Sequence, residues 1–141
     1  MTEYELADLF ISWGNFLEST VERFVALLFA FLIAAYLVSA KLQRVIVGIV
    51  LALYSYMALR YAFFHLNVAG DQIALARQIM EIRAQPDSSL GWLEISPIIS
   101  ILLYSQAVAM FLSYLASIAF FFYTRHNPTR QEPAFSEFRP E

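Results

Sequence analysis

From Ile95 to Thr124 the chain runs about 30 residues without a charged side chain, and as a helix rising 1.5 Å per residue that stretch reaches ~45 Å, against a hydrocarbon core of ~30 Å. No other feature constrains the fold as strongly: this is a transmembrane helix, and it must tilt or protrude. Ser96-Pro97 marks its start, a hydroxyl N-cap with proline at the first helical position, and Arg125, His126 and the Asn127-Pro128 breaker mark its end. Along one side Ser105, Ala109, Ser113 and Ser117 recur every fourth residue. That small-residue spacing lets helix backbones approach closely in lipid, where apolar burial alone gives no drive to associate. This side is expected to face another helix.

The remaining composition agrees with a polytopic membrane protein: 60% of the 141 residues are hydrophobic and 15% charged, where soluble domains have roughly half and about a quarter. A net charge of -3 and the lack of a basic patch argue against nucleic acid as a partner. Without cysteine, thiolate chemistry, disulfides and cysteine-ligated metals are excluded.

Residues 1–23 read as an amphipathic helix. Glu5, Asp8, Ser12, Asn15, Ser19 and Glu22 fall at steps of three and four, and Leu6, Leu9, Phe10, Trp13, Phe16 and Leu17 fill the opposite side. The polar face is acidic, whereas helices lying on a membrane usually carry Lys or Arg there. An upright helix continuous with the first span is preferred, with Gly14-Asn15 as the place for a break if it lies flat. The acidic N-terminus is also unlike a secretory signal.

Residues 24–40 form the first predicted span, with Ala26, Ala30 and Ala34 repeating the small four-residue spacing. Lys41 to Arg44 turns the chain, and 45–66 is the second span, with Gly48 and Ala52 as its small pair. Because the turn is short, the two spans should form an antiparallel hairpin. Residues 67–94 read as an extramembrane helical segment and turn, open to interruption at Gly70-Asp71; 95–124 is the third span, and 125–141 is a proline-containing tail. Lys41, Arg44, Arg125, Arg130 and Arg139 place the first turn and the tail in the cytoplasm by the positive-inside rule, with the N-terminus outside.

Chemistry is harder to find. His65 with Asp71 falls short of a zinc ligand set, and the other histidine, His126, belongs to the opposite surface. No serine has a neighbouring base pattern, and neither G-x-S-x-G nor H-E-x-x-H occurs. The many Phe and Tyr residues read as packing and interface anchors, so no cofactor is expected. Counting up each helix from the inner surface, Glu22, Arg60 and Gln106 reach the outer boundary together, at ~24–28 Å. Arg60 is therefore expected to turn inward and meet Glu22, or Glu18 one turn higher, with Gln106 completing a polar cluster.

These readings predict an all-α, three-span integral membrane protein whose helices extend beyond the bilayer on the outer side. Its expected role is non-enzymatic: helix association in the lipid bilayer, as a homo-oligomer or as an accessory subunit among other membrane subunits. The competing expectation is an oligomeric ion channel or small-solute pore with an acidic outer mouth. For a pore the deep polar groups are few, namely Ser39, Ser55, Ser113, Ser117 and tyrosine hydroxyls.

Overall fold

The chain enters its first helix through a reciprocal cap. Thr2 Oγ1 accepts the Glu5 amide at 3.3 Å while the Glu5 carboxylate accepts the Thr2 amide at 2.8 Å, satisfying two donors that a helix N-terminus otherwise leaves open. In the computed structural model, which describes residues 2–38 and 41–127, three long helices follow: α1 Glu3–Val38, α2 Arg44–Arg83 and α3 Ile99–His126, with a short 3-10 helix at Leu90–Trp92. The described residues are all-α. Each of the three long helices is long and apolar enough to cross a membrane. Ser39, Ala40 and the tail from 128 to 141 lie outside the described residues.

At 36 and 40 residues, α1 and α2 reach ~54 and ~60 Å, nearly twice a hydrocarbon core of ~30 Å. Every charge on α1 falls within its first 23 residues, and α2 carries none between Arg44 and Arg60. The two helices therefore share an apolar half next to the 41–43 turn and continue as a charged hairpin beyond it. Both run unbroken through the glycines where interruption was conceivable, Gly14-Asn15 and Gly70-Asp71. Neither glycine has a positive φ, and a helical backbone accommodates both within so long an element.

The third helix begins at Ile99 rather than Ile95. Ser96 and Pro97 form the turn before it, with the Ser96 carbonyl accepting the Ile99 amide at 3.1 Å and the Ser96 hydroxyl accepting the Ile98 amide at 3.4 Å. Serine caps a turn there and not the helix itself. At the far end Asn127 closes α3, its side-chain amide donating to the Tyr123 carbonyl at 3.0 Å.

Packing divides the molecule into levels. Near the turn, Phe24, Phe31, Ala35, Val47, Tyr54, Ala58, Ala62, Met110 and Phe121 form one core from all three helices. Leu17, Ala69, Ile73 and Leu103 form the next, where α3 begins. Beyond α3 the hairpin of α1 and α2 is closed by the connection, with Leu90 and Leu93 packed on Leu6, Ala7 and Ile79. The inward row of α2 is Ala58, Ala62, His65, Ala69, Gln72, Ala76 and Ile79, all buried. Its alternating steps of four and three are the period of a left-handed coiled seam, and its alanines allow close approach.

The small-residue rows differ in which way they face. Ala26, Ala30 and Ala34 on α1, and Gly48 and Ala52 on α2, are all exposed, so they do not pack the chain's own hairpin. On α3, Ser105 and Ala109 are exposed, Ser113 is half-buried and Ser117 is buried. A strict four-residue repeat advances about 40° per step round a helix of 3.6 residues per turn, so such a row drifts out of a straight contact.

Candidate functional site

Two sets of buried polar groups lie along the bundle, and they differ in how their hydrogen bonds are met. Nearer the turn, the Tyr54 and Ser117 hydroxyls meet at 2.6 Å, and Ser117 also donates to the Tyr114 carbonyl at 2.7 Å. The Tyr114 hydroxyl in turn donates to Ser55 at 2.9 Å. Phe31 stacks on the Tyr54 ring with centroids 3.7 Å apart, and Thr124 reaches the Ala35 carbonyl at 3.3 Å. One aromatic and hydroxyl pin thus joins all three helices, and its polar atoms are satisfied within the protein. Arg125 adds a tie from α3 to the turn, donating to the Leu42 carbonyl at 3.2 Å.

One level up, satisfaction fails. His65 is fully buried, and neither ring nitrogen has a hydrogen-bond partner; the Leu103 backbone lies beside it but outside hydrogen-bonding geometry. Two turns further along the same row, Gln72 is 5% exposed and its Oε1 is also unpartnered. A Cβ added at Gly14 would stand 3.4 Å from Gln72 Nε2, so the glycine brings the α1 backbone up to this amide.

Gln72 lines a hollow of about 500 Å³ with Glu18, Glu22 and Gln106. The structure therefore brings together Glu18, Glu22 and Gln106, and it does not bring Arg60 to them. Arg60 is exposed, lies outside this lining and forms no ion pair among the described residues. The inward turn expected of it fails for a reason of helix geometry. Ala58 and Ala62 hold the buried row, and a residue two positions from each points about 200° away. Gln72 occupies the place assigned to the arginine. Sequence reasoning missed it, although the heptad of alanines interrupted by His65 and Gln72 is visible in the chain.

At the tip of the hairpin, the Ser89 hydroxyl and its backbone amide both donate to the Glu3 carboxylate, the amide at 2.8 Å. The hydroxyl first and the amide second hold this carboxyl below its ordinary range. These bonds tie the connection between α2 and α3 back to the start of α1.

No protein family, curated protein or solved structure matches the chain.

Proposed function

We propose that this is a small, non-enzymatic integral membrane protein that works by helix association, assembling with copies of itself or as an accessory subunit of a larger membrane complex. The observation that carries this reading is the outward placement of its small-residue rows. Ala26, Ala30 and Ala34 form one exposed row, and Gly48 and Ala52 a second; a Cβ added at Gly48 would meet nothing within 4 Å. Small rows of this kind let a second helix come close in lipid. The pore reading gains less, because Tyr54, Ser55, Tyr114 and Ser117 bond to one another instead of lining a path. Lys41, Arg44 and Arg125 support an orientation with the turn and the C-terminus cytoplasmic and the N-terminus outside, as in a bacterial inner membrane.

The test is the mass of the detergent-solubilised protein, with co-purifying polypeptides identified after mild extraction. Ala30→Leu with Ala34→Leu should lower the assembled mass or release the partner while leaving protomer thermal stability unchanged, since both side chains face outward. Unchanged assembly would overturn the reading. Bilayer conductance that shifts when Glu18 and Glu22 are neutralised would favour the pore instead.

A further inference from the structure

Arg60 stands on the outer face of α2, and the residues at steps of four, three and four before it, Tyr56, Leu53 and Ile49, are exposed with it. Those steps are the period of a left-handed helix seam, here turned away from the buried row through Ala58 and Ala62. Gly48 and Ala52 lie exposed beside it. The outer face of α2 is thus an apolar ridge with one cation at its upper end.

The opposite side of the bundle has the complementary form. Between α1 and α3 opens the hollow lined by Glu18, Glu22 and Gln106, and nearer the turn an apolar trench of about 680 Å³ runs past Leu28, Leu32, Ser113 and Phe120. Phe16 and Phe64 meet edge to face, with centroids 5.4 Å apart, and set the register of α1 against α2. From that contact toward the turn, at 1.5 Å per residue, Glu18 lies ~3 Å along, Arg60 ~6 Å and Glu22 ~9 Å. Leu53 and Ile49 lie ~17 and ~23 Å along, level with the trench, whose α1 wall from Leu28 to Leu37 covers ~18 to ~32 Å.

We propose that the partner is a second copy of this chain, docked head to tail: the α2 ridge of one copy seats in the α1–α3 crevice of the next, and its Arg60 pairs with Glu18 and Glu22 there. This rests on the helix-association reading and names its partner. Copies in one membrane share an orientation, so groups at equal height on the two faces meet. Arg60 has no ion pair among the described residues, and a charge at the edge of the lipid is costly until it finds a partner. Glu18 and Glu22 are four apart on one helix and repel each other, and a guanidinium fork between them relieves that repulsion. Ridge and crevice are different surfaces, so the contact is heterologous, and because they lie on opposite sides each added copy leaves a free face at either end. The assembly is therefore a row in the plane of the membrane.

Native mass spectrometry of the full-length protein in a non-ionic maltoside detergent, over a range of concentrations, tests this. Wild type should give a ladder of masses that includes three or more copies. Arg60→Glu, and separately Glu18→Arg with Glu22→Arg, should each raise the concentration for half-assembly at least tenfold. Co-expressing the two variants should restore association, since one then carries acids on both faces and the other bases on both. The chain has no cysteine, so Leu53→Cys in one tagged copy and Leu28→Cys in another report the contact without touching a charge. These two should link to each other on mild oxidation, and neither should link to itself; this pair decides the matter if a charge variant melts early. Assembly that persists through both reversals, Leu53→Cys linking to itself, or a single copy bound to a different polypeptide would overturn this proposal alone. A wild type that stays single and brings no other polypeptide would overturn the helix-association reading with it.

Discussion

The turn end of the bundle and the level just above it are built from the same three helices, yet they treat buried polar groups in opposite ways. At Tyr54 and Ser117 each hydroxyl finds another group across the helix interface. At His65 and Gln72 the helices close over ring nitrogens and an amide oxygen that find none. In an apolar surrounding an unmet polar group costs more than a met one contributes. The first level therefore reads as a joint that holds the bundle, and the second as a place kept polar at the expense of stability, which is the usual mark of a site.

The sharpest way to break this contrast is to crowd the seam both levels share. Ala58 and Ala62 are 0% and 1% exposed, so Ala62→Leu should destabilise the fold by ~1–3 kcal/mol through overpacking. Steric-trap unfolding in bicelles would measure it, and a loss below a few tenths would mean that α2 is not tightly seated.

Replacing the unmet groups should act in the other direction. His65→Leu, similar in volume, removes two buried polar atoms without partners and should stabilise the protein by ~1 kcal/mol. Destabilisation of that size would show that His65 is satisfied in the working protein. At the turn end, Tyr54→Phe keeps the stack on Phe31 and removes one interhelical hydrogen bond, so the expected loss is smaller, ~0.6 kcal/mol. Ser117 keeps its bond to the Tyr114 carbonyl, which limits the damage. Opposite signs for the two substitutions in one unfolding assay would sustain the contrast; equal signs would dissolve it.

The gross fold was legible because charge-free length and the basic turn at Lys41 and Arg44 are properties of single segments. Rows were legible only as rows: Ala26, Ala30 and Ala34 announced a small face, but which way it points depends on where Phe24, Phe31 and Ala35 seat α1, and that is decided by partners distant in the chain. The height reckoning brought Glu22 and Gln106 to one level, with Glu18 one turn higher, because rise per residue is fixed by the helix. It misjudged Arg60 because height says nothing about azimuth. The 3–4 row through Ala58, Ala62, His65, Ala69 and Gln72 held the missing azimuth. The Thr2 and Glu5 capping box was also present in the sequence, as a Thr followed three residues later by Glu.

The smallest expected effect belongs to the hairpin tip, where a polar pair is satisfied at the surface rather than in the core. Ser89 donates twice to Glu3, and the carboxyl is held below its ordinary range for that reason. A folded-state value below the unfolded one means that the charged form is favoured by the fold. The contribution is therefore complete above the ordinary glutamate range and is lost as pH falls through the lowered folded value. Since Glu3 lies at the surface, water screens the interaction, and global melting should barely move. Amide exchange at Ser89 and Leu90 reports the contact directly: protection should be constant near neutrality and fall on acidification, once the intrinsic pH dependence of exchange is removed. Glu3→Gln should abolish that acid-dependent step and leave Tyr54 and Ser117 undisturbed. If Ser89 protection follows pH equally in wild type and Glu3→Gln, the tie between the connection and α1 does not depend on this carboxylate, and Leu90 and Leu93 packing on Leu6, Ala7 and Ile79 must hold the tip alone.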